Sequence, residues 1–240
     1  MSIDRSPRVV VVIPTYNERQ NILWLVPEVL ALGSNISIVI VDDNSPDGTG
    51  AAADELAVAN QGRIEVLHRA AKDGIGPAYI AGFQRALVME PDLVAQMDAD
   101  HSHLPVDLAR LIDAASVADL VIGSRYVAGG ATRGWPLRRR VISRFGGHYA
   151  SRVLGMHVKD MTGGFKVYKT ATLAALDVPS LRSDGYVFQI ETTFRAIKQG
   201  HRVIEVPITF VDRVAGKSKL SRGIVIEAMT TVWKLRFSGR

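Results

Sequence analysis

The chain has 240 residues, 47% of them apolar and 22% charged, which suits a globular α/β protein and leaves little room for disorder beyond the termini. It has no cysteine, which excludes disulfides, thiolate metal sites and a thiol nucleophile and makes a reducing cytosol the simplest expectation. A formal charge of +5 favours anionic partners, whether nucleotides, lipid phosphates, anionic headgroups or nucleic acid. The first residues, 1–7, lack the apolar core of a signal peptide, and no apolar run approaches the length of a membrane span.

Arg8 to Ile13, almost entirely Val and Ile, predicts a buried parallel strand. It runs into Pro14-Thr15-Tyr16-Asn17-Glu18, where the Tyr16 ring can pack on a base and Glu18 can accept hydrogen bonds; a strand end with a helix cap uses the same letters. Helical spacing covers Glu18 to Leu32, and a second strand spans Ile36 to Val41. That strand closes on Asp42-Asp43, which places Asp43 where a carboxylate meets a base or ribose, whereas Asp47-Gly48-Thr49 reads as a turn. Helical patterns follow at Gly50 to Asn60, at Pro77 to Met89 and at Pro105 to Val117, with a basic loop from Arg69 to Ala78 ahead of the second of these. Leu93 to Met97 and Asp119 to Ile122 complete the strand set. Such β-α-β alternation implies a mostly parallel sheet covered by helices, with ligands at the carboxyl ends of the strands. Neither a phosphate loop ending in Gly-Lys-Ser/Thr nor a dinucleotide glycine fingerprint is present.

The most informative segment is Asp98-Ala99-Asp100, at the exit of the Leu93–Met97 strand. Where a strand opens into a loop, two carboxylates one residue apart can converge on one hard divalent cation, and such a cation commonly bridges to substrate phosphates. Turn chemistry or a helix cap is the competing reading. His101 and His103 read as hydrogen-bonding neighbours of this loop rather than as a metal pair.

The second half is less regular, with glycine pairs at 129–130, 146–147 and 163–164, a helix from Val187 to Gln199 and a strand pair within Val203 to Val211. Leu137-Arg138-Arg139-Arg140-Val141-Ile142-Ser143-Arg144, if helical, puts Arg139 and Ser143 on one face and Arg140 and Arg144 on another; arginine forks suit phosphate oxygens. Trp135 and aliphatic residues interleave with these arginines, as where a basic surface meets a lipid headgroup layer. Asp212 to Leu220 forms a polar, basic flap, and Ile224 to Phe237 a last helix.

Taken in order, Pro14-Thr15-Tyr16-Asn17-Glu18, Val41-Asp42-Asp43, Asp98-Ala99-Asp100 with Ser102-His103, Gly123-Ser124-Arg125-Tyr126, Thr162-Gly163-Gly164-Phe165, Gly185-Tyr186-Val187-Phe188-Gln189 and Val206-Pro207-Ile208-Thr209-Phe210 resemble one family. It is that of the dolichol-phosphate and polyprenol-phosphate mannose synthases, inverting family 2 glycosyltransferases with a GT-A fold. The resemblance implies one catalytic domain over 1–240: a nucleotide-sugar half at about 8–123, an acceptor half and closing flap at about 124–220, and an amphipathic helix at 221–240. It implies transfer of mannose from GDP-mannose to a polyprenyl monophosphate, with a divalent metal, Mg²⁺ or Mn²⁺, as cofactor. Pro14, Tyr16, Glu18, Val41 and Asp43 would hold the guanosine; Asp98, Ala99 and Asp100 the diphosphate, with Asp98 and Asp100 as metal ligands. Arg125, Arg213 and Lys219 match donor-contacting positions, and Arg139 and Ser143, with Arg125 between the substrates, those that receive the acceptor phosphate. Ser102 stands where some members carry Gln. Some members append membrane helices, whereas this chain stops at Arg240. The expectation is therefore a cytoplasmic protein touching the cytoplasmic face of the membrane through its surface, its last helix or a separate membrane protein. No role with nucleic acid is expected.

Overall fold

The structure, a computed structural model, describes residues 6–212 and 222–238. In chain order its elements are β1 (Val9–Thr15), α1 (Arg19–Leu30), β2 (Ile36–Asp42), α2 (Thr49–Ala59), β3 (Ile64–His68), α3 (Ile75–Val88), β4 (Leu93–Gln96), α4 (Pro105–Ala114), β5 (Leu120–Ser124), β6 (Ala131–Arg133), α5 (Leu137–Leu154), β7 (Lys166–Lys169), α6 (Thr170–Ala175), α7 (Gly185–Lys198), β8 (Val203–Pro207), β9 (Thr209–Val211) and α8 (Arg222–Ser238). Among the described residues, seven strands form one sheet in the order β3-β2-β1-β4-β7-β5-β8. All neighbours run parallel except β7, which is antiparallel to both β4 and β5. The expected α/β architecture with a mostly parallel sheet is therefore present.

The Val/Ile runs make this sheet because β-branched side chains fit a pleated surface buried on both faces. Alternate residues of β1 feed two apolar layers: Val9, Val11 and Ile13 pack under α1, α2 and α4, whereas Val10 and Val12 pack with Tyr79, Phe83 and Phe188 of α3 and α7. Helix α3 lies close to the sheet because Gly82 faces it, and a Cβ there would fall 2.3 Å from a Val12 methyl. Pro105 opens α4 at a first-turn position, where a missing N–H costs nothing. Among the described residues no helix is long and apolar enough to cross a membrane.

Four features differ from the sequence expectations. Strand β3 was hidden by its half-exposed residues, and β7 by its two lysines, one of them fully buried. The two strands expected within Val203–Val211 are present but do not pair with each other, since β8 joins β5 in the main sheet and β9 pairs in parallel with β6. Gly146 and Gly147 lie inside α5, where Gly147 lets the helix pass the Lys159 carbonyl, 3.3 Å from its would-be Cβ.

Candidate active site

Because β1, β2 and β4 are parallel and β5 shares their direction across antiparallel β7, the segments after all four strands open on one edge of the sheet. Pro14 and Tyr16 lie there after β1, Asp43 after β2, Asp98 to Asp100 after β4, and Arg125 after β5. The paired aspartates after β2 have separate tasks. Asp42 accepts hydrogen bonds from Thr15 Oγ1 (3.2 Å) and from the Ser45 amide (3.1 Å), which fixes the turn. Asp43 instead pairs with Arg69 and lies next to the strand end. Burial raises its pKa, against the opposing pull of the Arg69 charge. Val41 is fully buried within the sheet, and its carbonyl accepts from Thr15 Oγ1 (3.3 Å). Glu18 takes a hydrogen bond from the Asn21 side-chain amide, and its own main-chain N–H donates to Thr49 Oγ1 (3.0 Å).

The basic loop from Arg69 to Ala78 turns toward this edge. Lys72 Nζ stands 3.3 Å from the centre of the Tyr16 ring, while Arg69 reaches Asp43. Its far end is clamped by Asp184, which accepts the Gly76 N–H at 2.7 Å. Only glycine fits at position 76, where a Cβ would lie 2.5 Å from the Ser183 carbonyl oxygen.

The Asp98-Ala99-Asp100 loop is rigidly held. Asp98 Oδ1 accepts the Tyr79 hydroxyl at 2.8 Å, and the Asp98 N–H donates to His103 Nδ1 at 3.1 Å. Asp100 Oδ1 accepts the Ser102 N–H at 3.1 Å. Burial, reinforced by the Asp98 charge, pushes the Tyr79 phenol well above its ordinary pKa, so it stays a donor. His103 is stacked on Phe165 with ring centres 4.5 Å apart and bonds the loop as expected, whereas His101 packs edge-on to Trp24 and its buried Nε2 has no hydrogen-bond partner among the described residues. No group of three or more His, Asp or Glu side chains among the described residues is arranged to hold a metal ion. The two aspartates are nonetheless a fitting hard-oxygen pair for Mg²⁺ or Mn²⁺, which take the rest of their coordination from phosphates and water. Beside them the Ser102 hydroxyl is buried with no hydrogen-bond partner among the described residues, which leaves a polar oxygen unused at the site.

Arg125 and Arg139 meet at a second cluster. The Arg125 guanidinium forms a buried bidentate pair with Asp160 (2.7 and 2.6 Å) and donates to the half-buried Thr162 Oγ1 at 2.9 Å. Burial lowers its pKa, but the Asp160 charge and hydrogen bonds outweigh that and raise it overall. Asp160 is set in turn by Glu205, whose carboxylate accepts the N–H groups of Lys159 (2.8 Å) and Asp160 (2.9 Å) and the Ser124 hydroxyl (2.7 Å). Trp135 lies between the two arginines, 5.3 Å from Arg125 and 4.0 Å from Arg139. Arg139 also pairs with Asp212 at 2.6 Å. Ser143, one turn further along α5, stands beside Tyr126, whose phenol is raised in pKa by burial. The loop from Thr162 to Gly164 joins the clusters: Thr162 touches Arg125, and a Cβ on Gly164 would lie 3.9 Å from Asp98 Oδ2. Arg213, Lys219 and the flap beyond Asp212 lie outside the described residues.

The structure thus gathers Pro14, Tyr16, Glu18, Asp43, Asp98, Ala99 and Asp100 at one end of the edge and Arg125, Arg139 and Ser143 at the other. Sequence reasoning missed Tyr79, Asp160, Asp184 and Glu205. Tyr79 carried no signal beyond an aromatic on an apolar helix face, and Asp160 lies 35 residues from its partner.

Residues 10–176 match the family described as Glycosyl transferase family 2. The polyprenol monophosphomannose synthase of Mycolicibacterium smegmatis is 47% identical over 236 residues, covering 98% of this chain and 89% of that protein. The undecaprenyl-phosphate mannosyltransferase of Micrococcus luteus is 45% identical, covering 97% of this chain and 96% of its own length. Among solved structures, glucosyl-3-phosphoglycerate synthase from Mycobacterium tuberculosis with Mn²⁺, UDP and glucosyl-3-phosphoglycerate superposes with a TM-score of 0.67 at 17% identity, over 97% of this chain and 80% of that one. A mannosyltransferase from Pyrobaculum calidifontis with GDP-Man and Mn²⁺ gives 0.59 at 16%, over 98% and 74%. These two likenesses establish the fold.

Proposed function

The chain belongs to the family 2 glycosyltransferases, and we propose that it transfers mannose from GDP-mannose to a polyprenyl monophosphate with inversion, releasing GDP and polyprenyl phosphomannose. The observation that carries this reading is 45–47% identity, over nearly the whole chain, to two enzymes named for polyprenyl-phosphate mannosylation. Pro14, Tyr16, Glu18, Val41 and Asp43 take the guanosine at the ends of β1 and β2. Asp98, Ala99 and Asp100 take the diphosphate, with Asp98 and Asp100 holding a divalent ion, Mg²⁺ or Mn²⁺. When bound, that ion supplies positive charge to the departing diphosphate. Arg213 and Lys219 are assigned to the same diphosphate by their place in the family pattern.

The acceptor phosphate is already an anion, so it needs positioning and partial neutralisation rather than a general base. Arg139 and Ser143 on α5 supply this, with Arg125 between the two substrates. The same helix carries the membrane contact. Leu137, Val141 and Phe145 recur every fourth residue and are 70%, 57% and 65% exposed, beside the exposed Arg138, Arg140 and Arg144. Apolar residues flanked by arginine fit an anionic headgroup layer at the cytoplasmic face, which would bring a lipid phosphate to Arg139 without a membrane-spanning helix.

The test is purified protein with radiolabelled GDP-mannose, a polyprenyl phosphate and Mn²⁺ or Mg²⁺, followed by extraction into organic solvent. Label in the organic phase that is lost with chelator supports the reading. Transfer from UDP-glucose and none from GDP-mannose would overturn the choice of sugar.

A further inference from the structure

Tyr79 is fully buried in α3, and its ring is fixed by stacking on Phe83 (centres 5.7 Å apart) and on Phe188 (5.9 Å apart, planes within 6°). The three rings form one mutually packed cluster, Phe83 and Phe188 being 6.3 Å apart, and this packing restricts the Tyr79 ring while its hydroxyl donates to Asp98 Oδ1 at 2.8 Å. Asp98 is gripped a second time through its main-chain N–H, by an imidazole that is itself stacked on Phe165. These grips come from separate elements, α3 and the loop after β4: the imidazole holds the Asp98 main chain and the phenol holds its carboxylate. Its other oxygen, Oδ2, lies 3.9 Å from where a Cβ on Gly164 would stand and 4.0 Å from His103 Nε2, so it carries no hydrogen bond as short as that of Oδ1.

We propose that Tyr79 is a positioning residue for the divalent cation: by occupying Asp98 Oδ1 with a neutral donor, it leaves the carboxylate its full charge and offers Oδ2 alone to the metal. This rests on the reading that Asp98 and Asp100 hold that ion. A carboxylate with both oxygens open can rotate between one-oxygen and two-oxygen coordination; one oxygen committed to a rigid phenol removes that freedom. Hydrogen-bond partners behind metal ligands typically contribute about 10–100-fold in metal affinity.

Tyr79→Phe keeps the ring and its stacking and removes only the donor. Titrating the purified variant with Mn²⁺ alone, followed by the electron paramagnetic resonance signal of the free ion, should show binding weakened about 10-fold. The Mn²⁺ concentration for half-maximal transfer should rise by a similar factor, with kcat returning to near the wild-type value at saturating Mn²⁺. Mn²⁺ affinity equal to wild type, or a kcat loss that no Mn²⁺ concentration restores, overturns the proposal, since a purely structural role gives that pattern. Asp100→Ala separates the two claims. If it binds Mn²⁺ as the wild type does, the metal-site reading fails whatever Tyr79→Phe does; if it loses Mn²⁺ and Tyr79→Phe does not, only the role of Tyr79 fails. Circular dichroism on both variants checks that the fold persists.

Discussion

The two ends of the site are held in opposite ways. The Asp98 carboxylate accepts from a phenol and the Asp100 carboxylate from the Ser102 N–H, neutral donors that orient them and leave their charge in place, while an imidazole accepts the Asp98 main-chain N–H. Arg125 and Arg139 are fixed by the carboxylates of Asp160 and Asp212, which orient them and also cancel their charge. An acid pair oriented by neutral donors is prepared for an incoming cation. An arginine already paired can engage a phosphate only by sharing or exchanging its partner. The two arginines differ in turn: the side chains of Arg125 and Asp160 are 5% and 0% exposed, those of Arg139 and Asp212 18% and 31%. Breaking a pair out of reach of water leaves a bare charge, whereas one at the rim can exchange ligands at little cost.

Removing charge at the acidic end should have the largest effect. Asp100→Ala is expected to lower kcat by about 10²–10³-fold while the melting temperature stays within a few degrees of wild type, because the hydrogen bond it accepts from the Ser102 N–H is local to the loop. Steady-state transfer assays paired with thermal unfolding decide it; metal-dependent turnover equal to wild type would remove the aspartates from the site. At the basic end the order reverses and stability moves first. Asp160→Asn should cost about 3–5 kcal/mol in denaturant unfolding by leaving the Arg125 charge buried without its partner. Asp212→Asn should cost less than about 1 kcal/mol. Equal costs for the two would erase the distinction between a buried pair and a rim pair.

The same contrast explains what the sequence made legible. Strands β1, β2, β4 and β5, the helices between them and the acidic loop after β4 are written in contiguous letters: Val/Ile runs, helical spacing, and an Asp-x-Asp where a strand must end. Sequence order alone then brings Pro14, Asp43 and Asp98 to one edge, because parallel strands share their carboxyl ends. Lys166-Val167-Tyr168-Lys169 could not be read as a strand, since a buried lysine looks polar until its partners are known. The pairing of Arg125 with Asp160 and the clamp of Asp184 on Gly76 join residues distant in sequence, and no local spacing encodes them. Tyr79 reads as one more aromatic on an apolar face until α3 is laid against β4.

Between the two ends, β7 carries a third kind of buried charge. Lys166 Nζ donates to the Gln189 carbonyl (2.7 Å) and to Thr192 Oγ1 (3.0 Å), and no water reaches it. Burial pulls its pKa from 10.5 down to about 7, with the Asp160 charge resisting. The unfolded chain therefore holds a proton that the folded chain has released between about pH 7 and the ordinary lysine value, so stability rises with pH across that window and levels off below it. Relative to Lys166→Met, the wild type should gain up to about 1.4 kcal/mol per pH unit above about pH 8, read from urea unfolding at a series of pH values. Parallel curves for the two proteins would mean that Lys166 keeps its proton on folding, held by Asp160 more firmly than its neutral partners suggest.

The sharpest test of the comparison is at Arg139. Its guanidinium lies 4.0 Å from the Trp135 ring and pairs with Asp212, while one buried nitrogen, Nε, has no hydrogen-bond partner among the described residues. An oxyanion arriving at the half-exposed side can displace Asp212 without stranding a charge, because the Asp212 carboxylate then turns to water. Arg139→Ala should therefore raise KM for the polyprenyl phosphate about 10-fold, equivalent to about 1.4 kcal/mol, with KM for the donor and the unfolding midpoint little changed. Asp212→Asn should move the acceptor KM the other way, because Arg139 no longer has to exchange a carboxylate for the phosphate. If both substitutions weaken acceptor binding alike, the pair acts as one structural unit, as Arg125 and Asp160 do, and the rim exchange that distinguishes the two arginines does not occur.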